Sequence, residues 1–235
     1  MAIFLNDTQP RAESPAEHEP AESRRRRDPE ATRKAIMDAA EDLFVLSGPA
    51  GTSMSRIAKR ADVTKSLIHH HFGSKEELWE AVQERHFAKY FEIQMELLEQ
   101  HESTESLLEE SLIAYFRFLQ SDPRSVRFMS WRFVEEEDGQ CAADPEKQLF
   151  EIGIQKIAEA QEKGRIRKDL EPFFIIKTLI ALPFAWFQTH SMTLSMLDSE
   201  IEPRELDERY MREMVKIFFE GVRPRENDSE STSAS

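Results

Sequence analysis

The stretch that decides the fold is Ser53-Met-Ser-Arg-Ile-Ala-Lys-Arg-Ala-Asp-Val-Thr-Lys-Ser-Leu-Ile-His-His-His-Phe72, followed by Gly73-Ser-Lys-Glu-Glu-Leu78. Ile57, Ala58 and Ala61 recur at helical spacing after two good N-caps, Thr52 and Ser53. Asp62 falls where the chain must turn, and Asp tolerates left-handed backbone angles better than most residues with a Cβ. Val63 can plug the gap, and Thr64 can cap a second short helix that runs to about His70 or His71. Leu67 and Ile68 supply its buried side, and Phe72 closes the unit. Gly73 stops the pattern, and Ser74-Lys-Glu-Glu77 reads as a capping box that opens a new helix. Two short helices about a tight turn form a helix-turn-helix, a device that sets one helix in the DNA major groove.

Working outward, Asp28-Pro29 places an N-cap before a proline at the first helical position. The helix it opens carries Ile36, Ala39, Ala40, Leu43 and Phe44 and ends near Ser47-Gly48. The sequence resembles the tetracycline-repressor (TetR) family of regulators. The resemblance rests on this helix, on Gly51-Thr-Ser, Ile57-Ala58 and Ala61-Asp-Val-Thr-Lys65, and on His70-His-Phe-Gly-Ser-Lys-Glu76. It covers residues 29–80, about a fifth of the chain. Two positions depart from the family pattern: Asp62 stands where glycine is usual, and His69 where an aromatic residue, commonly tyrosine, is usual.

The resemblance implies an all-α fold: a three-helix head that binds DNA and a larger helical body that binds an effector and dimerises. The implied division is a disordered tail over 1–27, a DNA-binding domain over 28–75 with its motif at 53–72, a body over 76–223 and a disordered tail over 224–235. Thr64, Lys65, Ser66 and Leu67 occupy the N-terminal end of the recognition helix, where side chains meet base edges and the helix dipole is positive. Lys65 suits guanine acceptors or a phosphate, and Leu67 a thymine methyl. Ser53 and Ser55 are expected on phosphates, as are His69, His70 and Lys75. His71 packs against Phe72 on the alternative reading. Three consecutive histidines on a helix point about 100° apart, so they are not expected to hold a metal.

The formal charge of −14 looks wrong for a DNA binder until it is mapped. Between residues 24 and 75 there are eleven Lys and Arg against six Asp and Glu, a local balance of +5. A basic head on an acidic body is the expected charge plan of a polyanion-binding module attached to something else. The run Arg24–Arg27 is either an arm for the minor groove or a solvated linker.

Beyond Ser74 the pattern stays helical. A long helix is expected to about Gln100, then one through Leu107, Leu112, Tyr115, Phe116 and Leu119. Asp122-Pro123 opens another with Phe128, Met129, Trp131 and Arg132, and Glu135–Ala143 reads as a loop. Asp144-Pro145 opens a helix that Gly164 stops. Asp169 is expected to start the most apolar helix, over Leu170–Leu197, kinked at Pro183. A last helix follows Pro203. No segment alternates with a period of two strongly enough to be a strand.

By resemblance the body holds an apolar pocket, and Tyr115, Trp131, Trp186 and His190 are the candidate ligand contacts among Arg117, Arg132 and Gln188. Read without the resemblance, such aromatic residues are more often plain core. The single cysteine, Cys141, leaves no internal disulfide, and no basic neighbour in its acidic loop favours a thiolate. No apolar run reaches membrane length, and the N-terminus lacks the apolar core of a secretory signal, so a cytoplasmic protein is expected. No nucleophile elbow, phosphate loop, zinc-helix motif or glycine-rich dinucleotide turn is present, so neither an enzyme nor a cofactor is expected.

The function expected is that of a homodimeric repressor. Its last two helices would pair with their copies as a four-helix bundle, and the resemblance implies that a small apolar effector releases it from a palindromic operator. The half-sites would lie about 34 Å apart or a multiple of that. Two alternatives remain: the same fold binding DNA without a ligand, as a chromosome-organising protein, and an all-helical enzyme or interaction module.

Overall fold

In the computed structural model, which describes residues 28–100, 103–135, 144–197 and 201–224, all regular structure among the described residues is helical. Asp28 accepts a hydrogen bond from the Glu30 amide (3.2 Å) and Pro29 takes the first helical position, so α1 runs Pro29–Ser47. Gly48 then leaves the helix at φ 66°. The helix-turn-helix follows as α2 (Met54–Ala61) and α3 (Lys65–Phe72). Next come α4 (Lys75–Gln100), α5 (Thr104–Ser121), α6 (Pro123–Glu135) and α7 (Asp144–Glu162). The chain closes with α8 (Pro172–Gln188), α9 (His190–Met196) and α10 (Pro203–Val222). Arg24–Arg27, the two tails beyond residues 28 and 224, and Cys141 lie outside the described residues.

Helices α1 to α4 bury their apolar stripes on one another. Ile36, Ala40 and Phe44 of α1 meet Ile57 of α2, Ile68 of α3, and Leu78 and Val82 of α4. Phe128 of α6 belongs to this same core, stacked on Trp79 with ring centres 5.2 Å apart. The body therefore reaches into the head. A second core joins Leu112 and Phe116 of α5 to Ile157 of α7, to Ile175 and Leu179 of α8, and to Met214 and Phe218 of α10.

Polar groups tie α1 to α4 and α6. Glu41 of α1 is buried, and its carboxylate meets Arg85 of α4 (2.5 Å), Arg124 of α6 (3.2 Å) and His86 Nδ1 (3.3 Å). The other nitrogen of His86 lies 2.8 Å from Ser125 Oγ. Trp131 lies against Gly48 and donates its indole N–H to the Val45 carbonyl (3.3 Å). A Cβ at Gly48 would come within 2.7 Å of that ring, and the positive φ also favours glycine there.

Two details of the apolar helix differ from expectation. It starts at Pro172 with Glu171 at the cap position, because Asp169 is engaged by Arg167 (2.7 and 2.5 Å). The break comes at Thr189, where α8 and α9 meet at a 60° bend, while Pro183 sits buried inside a helix that continues past it. The Thr189 hydroxyl donates back to the Ala185 carbonyl (2.8 Å), a bond that competes with the helical ladder and bends it. Among the described residues no single helix is long and apolar enough to cross a membrane.

Candidate functional site

The turn between α2 and α3 fixes one exposed face. Ser53 accepts from the Arg56 amide (3.3 Å) and Thr64 from the Leu67 amide (3.2 Å), so both short helices are capped by their own sequence. Asp62 adopts the left-handed conformation (φ 53°, ψ 49°) that the turn requires. Ile57, Ala61, Ile68 and Phe72 point inward. Ser53, Ser55, Thr64, Lys65, Ser66, His69 and His70 are all exposed, and Leu67 is half-buried. Lys59 and Lys65 have no acidic partner or acceptor among the described residues.

Other cations nearby are engaged within the head. Arg60 pairs with Asp42 (2.5 Å). Arg56 donates to the Gly51 carbonyl (2.9 Å). Lys75 is half-buried, and its ammonium donates to the Pro49 carbonyl (2.9 Å), closing the loop between α1 and α2. His69 Nδ1 lies 2.6 Å from the Gly73 carbonyl; a carbonyl only accepts, so that nitrogen carries the proton. His71 leans on Phe72, with ring centres 6.3 Å apart. Ser74 and Glu77 form the reciprocal capping box, Ser74 N–H to Glu77 Oε2 at 2.7 Å and Glu77 N–H to Ser74 Oγ at 3.0 Å. Lys65, exposed at the positive end of α3 between Thr64 and Ser66, has no partner among the described residues.

A cavity opens in the body between α4, α5, α6, α7 and α8, with about 1180 Å³ of empty space when its open mouth is included. On α4 its wall is Phe87, Tyr90, Phe91, Gln94 and Leu98. On α7 it is Glu146, Leu149, Phe150, Gly153 and Lys156, again one helical face. Gly153 permits close approach of α8, since a Cβ there would lie 2.8 Å from Ile176 Cδ1. The Tyr115 hydroxyl meets Met129 Sδ at 3.1 Å. Burial, reinforced by the Glu146 carboxylate, raises the Tyr90 phenol far above its ordinary value, and Tyr115 is raised in the same sense by burial first. Both phenols therefore stay neutral donors.

Of the four candidate ligand contacts, Tyr115 alone lies on this wall. Trp131 is drawn away to Gly48 and Val45. Trp186 and His190 turn towards α10, where the buried Asp207 accepts from the Trp186 indole (2.9 Å) and pairs with His190 Nε2 (2.9 Å). Tyr210 stacks on Trp186 at 4.0 Å. Each of these three side chains finds its partner outside the cavity. Sequence reading passed over the faces of α4 and α7, though Phe87, Tyr90, Phe91, Gln94 and Leu98 do recur at helical spacing.

Residues 36–82 match the family described as bacterial regulatory proteins, tetR family, and residues 110–216 match the tetracyclin repressor-like C-terminal domain. The chain belongs to the TetR family. TetR-family relatives include the transcriptional repressor SCO4008 of Streptomyces coelicolor, 27% identical over 66% of this chain and 78% of that protein. The repressor NemR of Escherichia coli is 34% identical over 37% of this chain and 42% of its own length. Among solved structures, the S. coelicolor regulator SCO4942 superposes with a TM-score of 0.64 at 22% identity, covering 82% of this chain and 99% of that one. The ketosteroid transcriptional regulator KstR2 of Mycobacterium tuberculosis gives 0.60 at 16%, over 82% and 95%. Head and body are thus those of a DNA-binding TetR-family transcriptional regulator, and its helix-turn-helix is α2 and α3.

Proposed function

We propose that this regulator is a homodimeric repressor of the cytoplasm that leaves a palindromic operator when a small, largely apolar effector enters the body. The observation that carries the reading is the span of α4: Leu78 and Val82 belong to the head core, while Phe87 to Leu98 wall the cavity. A ligand that favours one placement of α4 thereby favours one placement of the recognition helix, which is the differential binding that release requires.

Residues 28–75 form the DNA-binding part and 76–223 the effector and dimer part. Ser53, Ser55, Thr64, Lys65, Ser66, Leu67, His69, His70 and Lys75 face the operator. Pairing through α8 and α10 is supported by their outward faces. Phe174, Thr178, Ala181 and Ala185 of α8 are exposed although the helix is apolar almost throughout, and Ile217 of α10 is 64% exposed. The α8 stripe is of the kind that marks helix–helix interfaces, and on α10 Ile217 stands among charged residues. No catalytic step enters this reading.

The test is selection of bound genomic fragments by the purified full-length protein at near-physiological salt, with sedimentation of the protein alone and on its DNA. A shared palindrome with helical-turn spacing, bound by a dimer, is expected. Fragments without a symmetric motif, or a monomer on DNA, would refute the reading.

A further inference from the structure

The cavity wall is charged against the sense of the body around it. Beyond Lys75 the chain is strongly acidic, yet the wall presents Arg132, Lys156 and Lys177 against one acid, Glu146. Arg132 Nη1 lies 2.6 Å from Glu146 Oε2, so the one carboxylate of the wall already has a cation beside it. Lys156 and Lys177 meet no carboxylate and no acceptor among the described residues, and Lys156 is half-buried. The two share a neighbourhood: Gly153, one turn before Lys156 on the same face of α7, sits under Ile176, the residue before Lys177. Lys177 is exposed, and two like charges at one wall with no carboxylate between them favour a ligand that brings an anion to them.

We infer that the cavity takes an amphipathic monoanion: a long apolar chain ended by a carboxylate or similar small anion, its head at Lys156 and Lys177 and its chain along the α4 wall. The inference rests on the effector reading proposed above and names the chemical class of that effector. The apolar part is provided for by Phe87, Phe91, Leu98 and Phe150, whose contact area supplies the bulk of the driving force. The α4 face from Phe87 to Leu98 is about 16 Å long at 1.5 Å per residue, which suits an extended chain better than a compact ring system.

Two other classes fit less well. An organic cation would find aromatic faces to stack on. It would also meet two unpaired ammoniums, and the one carboxylate is already held by Arg132. A neutral apolar molecule would fill the space and leave both lysines without partners.

The experiment is calorimetric titration of the full-length protein with dodecanoate, dodecanol and dodecyltrimethylammonium, each below its micelle concentration. It is repeated on the double variant Lys156→Gln, Lys177→Gln, and operator affinity is followed in parallel. Dodecanoate is expected to bind at least about tenfold more tightly than dodecanol, a difference of about 1.4 kcal/mol. The double variant is expected to lose that preference while keeping its affinity for dodecanol, which also shows that it is folded. The inference is overturned if the alcohol or the cation binds as well as the carboxylate, if the double variant keeps the preference, or if none of the three binds. The effector reading is judged separately. Dodecanoate that binds without weakening the operator complex upholds the anion site and removes the effector role. Release by dodecyltrimethylammonium alone upholds the role and removes the anion.

Discussion

Lys65 and Lys75 are both candidate DNA contacts, and their surroundings predict different consequences of removal. Lys65 has no partner among the described residues, so Lys65→Ala should leave the unfolding midpoint unchanged. It should cost about 1–3 kcal/mol of operator affinity and relax the preference at one base pair. Lys75 already holds the Pro49 carbonyl. Lys75→Ala should lower affinity for all sequences, reduce the slope of log affinity against log salt by about one, and also lower the midpoint. Titrations at several salt concentrations on cognate and scrambled fragments separate the two; equal effects of both variants on every sequence would remove Lys65 from base readout. Asp62 gives a second residue-scale test. Its φ of 53° suits glycine better than any residue with a Cβ. Asp62→Gly should therefore be neutral or stabilising by up to about 1 kcal/mol, whereas Asp62→Val should cost about 1–2 kcal/mol in a denaturant melt.

At the scale of elements, what could be read from the sequence was what the chain decides locally. Asp28, Ser53, Thr64 and Ser74 each cap the helix that follows by a bond to an amide two or three residues on, so residue type and spacing suffice to place those starts. Ser74→Ala should accordingly cost about 1 kcal/mol, seen as a lower urea midpoint with the slope unchanged. The start and the break of α8 were harder, because each depends on a competition between side chains. Arg167 removes Asp169 from capping, and Thr189 bends the chain where Pro183 was the stronger signal by residue type. The ligand contacts were hardest. An aromatic residue at helical spacing looks the same whether its partner is a cavity or another helix, and Trp131, Trp186 and His190 found partners from helices distant in sequence. The charges of the cavity wall were hidden for the same reason: Lys156 and Lys177 line one wall only when α7 packs on α8.

For the whole molecule, the junction of head and body should set the acid limb of stability. The Glu41 carboxyl is held below its ordinary value, first by its hydrogen bond with His86 and further by Arg85, against the opposing effect of burial. A depressed carboxyl contributes stability that is present above the ordinary carboxylate range and is lost as pH falls through the lowered value. Glu41→Gln should thus cost about 1–3 kcal/mol at neutral pH and flatten the decline of stability below pH 4.5, measured by urea melts across pH. An unchanged pH profile would exclude Glu41 as a source of that limb. The dimer has its own test at this scale. Ala181 is exposed at the middle of the α8 face, so Ala181→Glu should leave the protomer folded, shift sedimentation to a monomer and weaken operator binding with it.

The three tryptophans of the chain happen to stand at three different seams. Trp79 lies between Phe44 and Phe128 in the head, Trp131 covers Gly48 where α6 touches α1, and Trp186 is stacked on Tyr210 beside α10. A tilt that moves α1 against α6 would lift or slide the Trp131 indole over Gly48 and change its exposure to solvent. The protein thus carries its own optical gauge of the signalling motion: in a Trp79→Phe, Trp186→Phe background, the emission of one ring reports how head and body move when DNA or a cavity ligand binds, with no dye attached.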